Sequence, residues 1–136
     1  MELTVTKLQE EDYNTLVEWW NEWPDWTAPS RDFLPNNGTG GLLIKKGNIP
    51  VVAGFLYMTN SKAVLLEWIV SNPNYKESDR KDAIELLITA AETVCKDLGY
   101  GYMFSIGRNK GLMETHEKLG WQVDKTPSHE IVKILK

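Results

Sequence analysis

Cysteine is all but missing from this chain. Cys95 stands alone, so no internal disulfide can form and the fold has to rest on its core. That one thiol falls on the apolar stripe of a helical pattern, where it reads as a packing residue in a reducing, cytoplasmic setting. Histidine is scarce too. His116 and His129, even with Cys95, show none of the spacings of a metal site, so no metal is expected. No apolar run approaches the roughly 20 residues that cross a bilayer, and the start, MELTVTKLQEED, lacks a basic-then-apolar leader pattern. No membrane partner is expected. Positive charge is in short supply as well: 15 Lys and Arg against 19 Asp and Glu leave a formal net charge of −4. This argues against general nucleic-acid binding, and no aromatic-basic stripe offers a track for single strands. Repeats, low-complexity tracts and linkers are likewise missing.

What remains is the composition of an ordinary globular protein, 42% hydrophobic and 25% charged over 136 residues. That length suits a single domain, 1–136, with a proper core. Its organising stretch begins at Leu65–Val70, an apolar run interrupted only by Glu67, as expected of a central strand buried on both faces. Simple alternation would put Glu67 on the face of Ile69 and opposite Trp68 and Val70. Asn72-Pro73-Asn74 stops the strand, because proline offers no N–H to the next rung. Ser78 or Asp79 can cap the helix that follows. Ile84, Leu87, Ile88, Ala91, Val94, Cys95 and Leu98 form its apolar stripe, and Gly99 supplies the left-handed stop. A buried strand leading into the N-terminus of a packed helix is a natural site for a phosphate-bearing ligand.

On the N-terminal side, Glu2–Lys7 reads as a first strand. Tyr13, Leu16, Val17 and Trp20 have helical spacing, and Pro24 ends that helix. Trp19, Trp20, Trp23 and Trp26 crowd one short stretch. Helical geometry cannot aim all of them at one core, so two readings stand: large side chains covering a sheet, or the wall of an acceptor pocket formed by Trp23 and Trp26. Ser30–Leu34 suggests a short helix or turn before the loop Pro35–Gly38. Gly41–Lys46 and Val51–Tyr57 form a hairpin around Gly47-Asn48, and Gly54 marks a bulge or a close backbone approach. After the long helix come a strand at Tyr102–Ile106 and a short helix, Lys110–Leu119, capped by Asn109 and closed by Gly120. Trp121–Val123 and Glu130–Leu135 have strand-like patterns. The expected class is α/β (α+β), a mixed, mostly antiparallel sheet flanked by helices, in the order β-α-(α)-β-β-β-α-β-α-β.

That order, with the stretch NKGLMETHEKLGW at Asn109–Trp121, resembles the GNAT acetyltransferase superfamily. The last-helix pattern of that family, N-x-x-A-x-x-x-Y-E-K-L-G-F, is matched at Glu117-Lys118-Leu119-Gly120. AGFLY and EWIVSNP are similar to small phage-encoded members. The resemblance implies acetyl-CoA as cosubstrate, with backbone of Trp68, Ile69 and Val70 against pantetheine. It places the pyrophosphate over the 76–83 segment, among Lys76, Ser78, Arg80, Lys81 and Ala83. The two glycines of the family's loop are replaced here by Lys81 and Ala83. A Cβ there obstructs close backbone approach, so only modest affinity is expected.

The same resemblance implies N-acetylation of an amine by direct attack on the thioester. Glu67, the acid inside an apolar strand, is the candidate base, against a purely structural partnership. His116 stands where relatives carry a tyrosine that protonates the leaving thiolate. A half-buried, hydrogen-bonded packing histidine is its other reading. Ser71, Asn72 and Asn109 are candidates to assist binding, and His129 reads as a surface residue. The rival reading is a weak or inactive relative that binds a protein partner through the tryptophan-rich face; a homodimer is the other expectation for partners. The acceptor cannot be named from sequence.

Overall fold

The computed structural model describes residues 2–135, arranged as two compact units, one running up to Ile106 and the other from Gly107 on. In the first, β1 (Leu3–Lys7) leads through α1 (Asp12–Glu22) and two short 3-10 turns, Arg31–Phe33 and Pro35–Gly38. Then come β2 (Gly41–Lys46), β3 (Ile49–Met58), β4 (Ala63–Ser71), α2 (Arg80–Asp97) and β5 (Tyr102–Phe104). The strands lie in the order β1-β2-β3-β4-β5, antiparallel except for the parallel β4–β5 pair. The sheet is mixed and mostly antiparallel, as expected.

Strand alternation sends its residues to two cores. Leu43, Ala53, Phe55 and Val70 pack with Leu16, Trp19 and Trp20 of α1. Ile44 and Val52 pack on the other face with Tyr75 and with Ala83 and Leu87 of α2. Each fully buried Val, Leu, Ile or Phe among them stabilises the fold by about 1.5–3 kcal/mol. The helix α2 crosses β1, β2 and β3 on the row Ala83, Leu87, Ala91 and Cys95, with Ile88 beside it, all buried. Val94 and Leu98, expected on the stripe, lie in a flanking row and are 36% and 62% exposed. Gly41 lets β2 and β3 close: a Cβ there would stand 2.1 Å from the Gly54 carbonyl oxygen.

The second unit holds α3 (Lys110–Lys118). The strands expected at Trp121–Val123 and Glu130–Leu135 do not form among the described residues. Ile131, Val132, Ile134 and Leu135 are each more than 60% exposed. Alternating apolar residues make a strand only when a neighbouring strand takes up their N–H and C=O groups. The sequence pattern carries no information about that neighbour.

Candidate active site

The site begins where β4 and β5 part. They pair over three rungs only, Ala63 with Tyr102, Val64 with Met103 and Leu65 with Phe104. Beyond Leu65 the chain of β5 turns away, and the edge of β4 from Leu66 to Ser71 has no β5 rung beside it. The Glu67 carboxylate reaches across this wedge and accepts the Ile106 N–H at 2.6 Å. A short bond of that kind is charge-assisted and stronger than a neutral one.

At the same level β4 carries a bulge. Ala53 pairs with Val70 and Phe55 with Glu67, so Trp68 and Ile69 together oppose Gly54. Trp68 adopts φ +56°, a left-handed conformation costly for so large a residue. The extra residue overturns the expected alternation. Directly paired residues of antiparallel strands share a face, so Glu67, opposite Phe55, turns toward α1 together with Trp68 and Val70. Ile69 alone turns to the α2 core. There it stands 3.3 Å from where a Gly54 Cβ would be, which is why β3 carries glycine at this point.

On the α1 side the bulge lifts the Trp68 ring into an aromatic cluster. Its centroid lies 6.0 Å from Trp20, 6.0 Å from Trp26 and 5.9 Å from Phe33, within the usual range for edge and tilted ring contacts. Trp20 is fully buried, whereas Trp26 and Phe33 are 41% and 48% exposed. Tyr57 closes the group, its hydroxyl donating to the Phe33 carbonyl at 3.0 Å. Burial pushes the Tyr57 phenol up to about 12, with the Glu67 charge adding and a hydrogen bond to Trp68 opposing. Trp23 belongs elsewhere. It packs against the α1 core, its Nε1 donates to the Ser71 carbonyl at 2.8 Å, and the Arg80 guanidinium lies over its ring.

The start of α2 is held by ties distant in sequence. Asp79 sits at the N-cap, but its carboxylate makes no bond to the first-turn amides. It takes Lys46 Nζ at 2.5 Å and the Tyr75 hydroxyl at 2.5 Å instead. These two bonds hold its carboxyl below the usual carboxylate range. The Tyr75 phenol is pushed up to about 12, first by its bond to Asp79 and then by burial. The Arg80 N–H goes to the Glu77 carbonyl at 3.2 Å and the Ala83 N–H to that of Asp79 at 3.0 Å, so the Lys81 and Asp82 amides face an outside acceptor at the positive end of the helix dipole. Arg80 donates to Ser71 Oγ at 2.7 Å, tying the helix start to the end of β4. Lys76, Ser78 and Lys81 are exposed, whereas Ala83 is buried with Tyr75 and Leu87 and its N–H already donates to the Asp79 carbonyl at 3.0 Å. A concavity of about 350 Å³ lies beside this loop, lined by Lys46, Ile49, Tyr75, Glu77, Ser78 and Asp79. Asn72 shapes the preceding turn, its Nδ2 donating to the Pro50 carbonyl and its Oδ1 accepting from Asn74 N–H.

In the second unit Asn109 caps α3, its Oδ1 accepting from Leu112 N–H at 3.0 Å. His116 is 6% exposed. Its Nδ1 stands 2.8 Å from the Leu112 carbonyl, an acceptor only, so Nδ1 carries the hydrogen. The edge contact with Trp121, 4.7 Å between centroids, fixes the ring, and Nε2 is buried without a partner. His129 is exposed. Among the described residues no group of three or more His, Cys, Asp or Glu could hold a metal ion, and no helix is long and apolar enough to cross a membrane. Sequence reasoning passed over Tyr57, Phe33 and Tyr75. An aromatic at the exposed end of a strand or loop carries no local mark of the ring it will meet.

No family model matches the sequence, and no curated protein does either. Solved structures do. The ribosomal-protein-S18-alanine N-acetyltransferase of Escherichia coli superposes with a TM-score of 0.69 at 14% identity, covering 88% of this chain and 77% of that one. The PaiA N-acetyltransferase of Thermoplasma acidophilum, solved with coenzyme A, gives 0.65 at 18% identity over 93% and 94% of the two chains. N-acetylglutamate synthase of Neisseria gonorrhoeae, solved with coenzyme A and L-arginine, gives 0.72 at 13% identity, over 93% of this chain and 29% of that larger one. Helices on both faces of a mostly antiparallel sheet, with its one parallel pair splayed beside a helix N-terminus, make this chain's fold that of the GNAT acetyltransferases.

Proposed function

We propose that this chain is an acetyl-CoA-dependent N-acetyltransferase. The observation that carries the reading is the wedge, where the β4 edge from Leu66 to Ser71 has no β5 rung beside it and leads to the Lys81 and Asp82 amides in the first turn of α2. Two features of the chain fit the cosubstrate. The backbone of Trp68, Ile69 and Val70 offers strand-like hydrogen bonds to the amides of a pantetheine arm, as an added strand would receive. The start of α2, with Lys76, Ser78 and Lys81 around it and Arg80 braced behind, offers amides and positive charge to a pyrophosphate. Ala83 and Asn109 complete the set that the resemblance supplies.

In the reaction the amine nitrogen forms a bond to the thioester carbonyl carbon, and the carbon–sulfur bond then breaks. Glu67 takes the proton lost from nitrogen, through one water, and stays anchored by its bond to Ile106. The departing thiolate needs a proton. The resemblance assigns that proton to His116, whose Nδ1 is engaged with the Leu112 carbonyl. The known acceptors of structural neighbours, a ribosomal-protein alanine among them, share only the amine.

The test is a thermal melt with acetyl-CoA. Ligand at 100 times its Kd stabilises the folded state by about 2.7 kcal/mol, so a rise of several degrees is expected, reduced by Arg80→Gln. An unchanged Tm at saturating acetyl-CoA would sink the reading in favour of a non-catalytic relative that uses the tryptophan-rich face for a partner.

A further inference from the structure

We infer that the aromatic cluster beside Glu67 recognises the acceptor, and that the acceptor is an organic cation whose ammonium nitrogen is borne on a flat, apolar group, an arylalkylamine. Acetylation of such an amine rests on the transferase reading above; its binding does not. The first support is shape. Trp26 and Phe33 stand 41% and 48% exposed, each about 6 Å from the Trp68 ring, with buried Trp20 behind. Two large rings left half in water beside a third form a surface that a further flat ring would complete. The second is order. The Tyr57 hydroxyl holds the Phe33 backbone at 3.0 Å, and the bulge holds Trp68 at φ +56°, so the rim is set before any ligand arrives.

The third support is charge. Asp25 and Asp32 adjoin Trp26 and Phe33 in the chain and are exposed, and Glu67 lies next to Trp68 on the same face. Arg31, the cation of this stretch, is engaged elsewhere: its guanidinium lies 4.4 Å over the Tyr13 ring and donates to the Glu10 carbonyl at 3.2 Å. Aromatic faces and carboxylates both favour a cation. They disfavour an anionic acceptor such as an amino acid bearing an acidic side chain.

The experiment is a tryptophan-fluorescence titration of the protein alone at pH 7, with phenethylamine, butylamine and glutamate as probes. Phenethylamine should bind roughly tenfold or more tightly than butylamine, with glutamate weakest. Trp26→Ala and Phe33→Ala should each raise the phenethylamine Kd by about tenfold while leaving the circular dichroism spectrum unchanged. Trp26→Leu and Phe33→Leu repeat the measurement if an alanine variant folds poorly. Equal or tighter binding of butylamine or glutamate, or indifference of phenethylamine to all four substitutions, overturns the inference. A parallel melt with acetyl-CoA separates the two readings. An acetyl-CoA response without phenethylamine binding leaves the transferase and removes this acceptor; the reverse leaves the amine site and removes the transferase.

Discussion

Gly41 and Gly54 show how much a single hydrogen can decide. Gly41→Ala would press a methyl to 2.1 Å from a backbone oxygen that no rotamer change can move. A loss of more than about 2 kcal/mol is expected. Gly101→Ala meets nothing within 4 Å and should stay within about 0.5 kcal/mol; urea denaturation of the pair checks both. The two tryptophans once grouped as a pocket wall should now diverge. Trp23→Ala loses the Ser71 bond and a packed ring, at about 3–5 kcal/mol, whereas exposed Trp26 should cost little. Asp79 gives a pH signature. Its folded carboxyl is held below the ordinary value near 3.9, so its contribution is complete above about pH 4 and is lost as pH falls below. Wild type should therefore lose Tm more steeply than Asp79→Asn as pH falls below about 4.

At the scale of the element, β4 carries both the fold and the proposed chemistry, and Glu67→Gln tells the two apart. Glutamine keeps an oxygen for the Ile106 N–H but cannot take a proton, so turnover should fall about 10²–10⁴-fold. The Tm and the acetyl-CoA response should hold. An unfolded variant would make the carboxylate a structural bridge only. For α3, His116→Phe keeps the ring against Trp121 and removes the orphaned Nε2. If His116 only packs, rate and Tm change little; if it delivers the proton, the rate falls while Tm holds. The strand β4 was legible as a strand, since its apolar run bounded by Asn72-Pro73 admits little else. Its faces were not. A period of two read along Leu65–Val70 cannot register one extra residue, because a bulge exists only against a partner, and the hint was Gly54 on the strand opposite.

Over the whole molecule, what was legible was what is local. The hairpin at Gly47-Asn48, the stripe of α2 and the Asn109 cap each depend on neighbours a few residues away. The Lys46–Asp79 pair, the burial of Tyr75 and the ring contacts of Trp68 join residues far apart in the chain, and no spacing rule reaches them. The three-rung attachment of β5 has a consequence for how the molecule breathes. A strand joined to its sheet by so few bonds, and only in parallel, should detach in fluctuations far smaller than global unfolding. Amide hydrogens of Met103 and Phe104 should then exchange with solvent deuterium at rates nearly blind to added urea. Those of Tyr57 and Leu65, a bonded pair in the long β3–β4 ladder, should slow with the full stability of the unit and quicken with urea along its m-value. The mouth of the wedge would be the part of the sheet that opens first and most often.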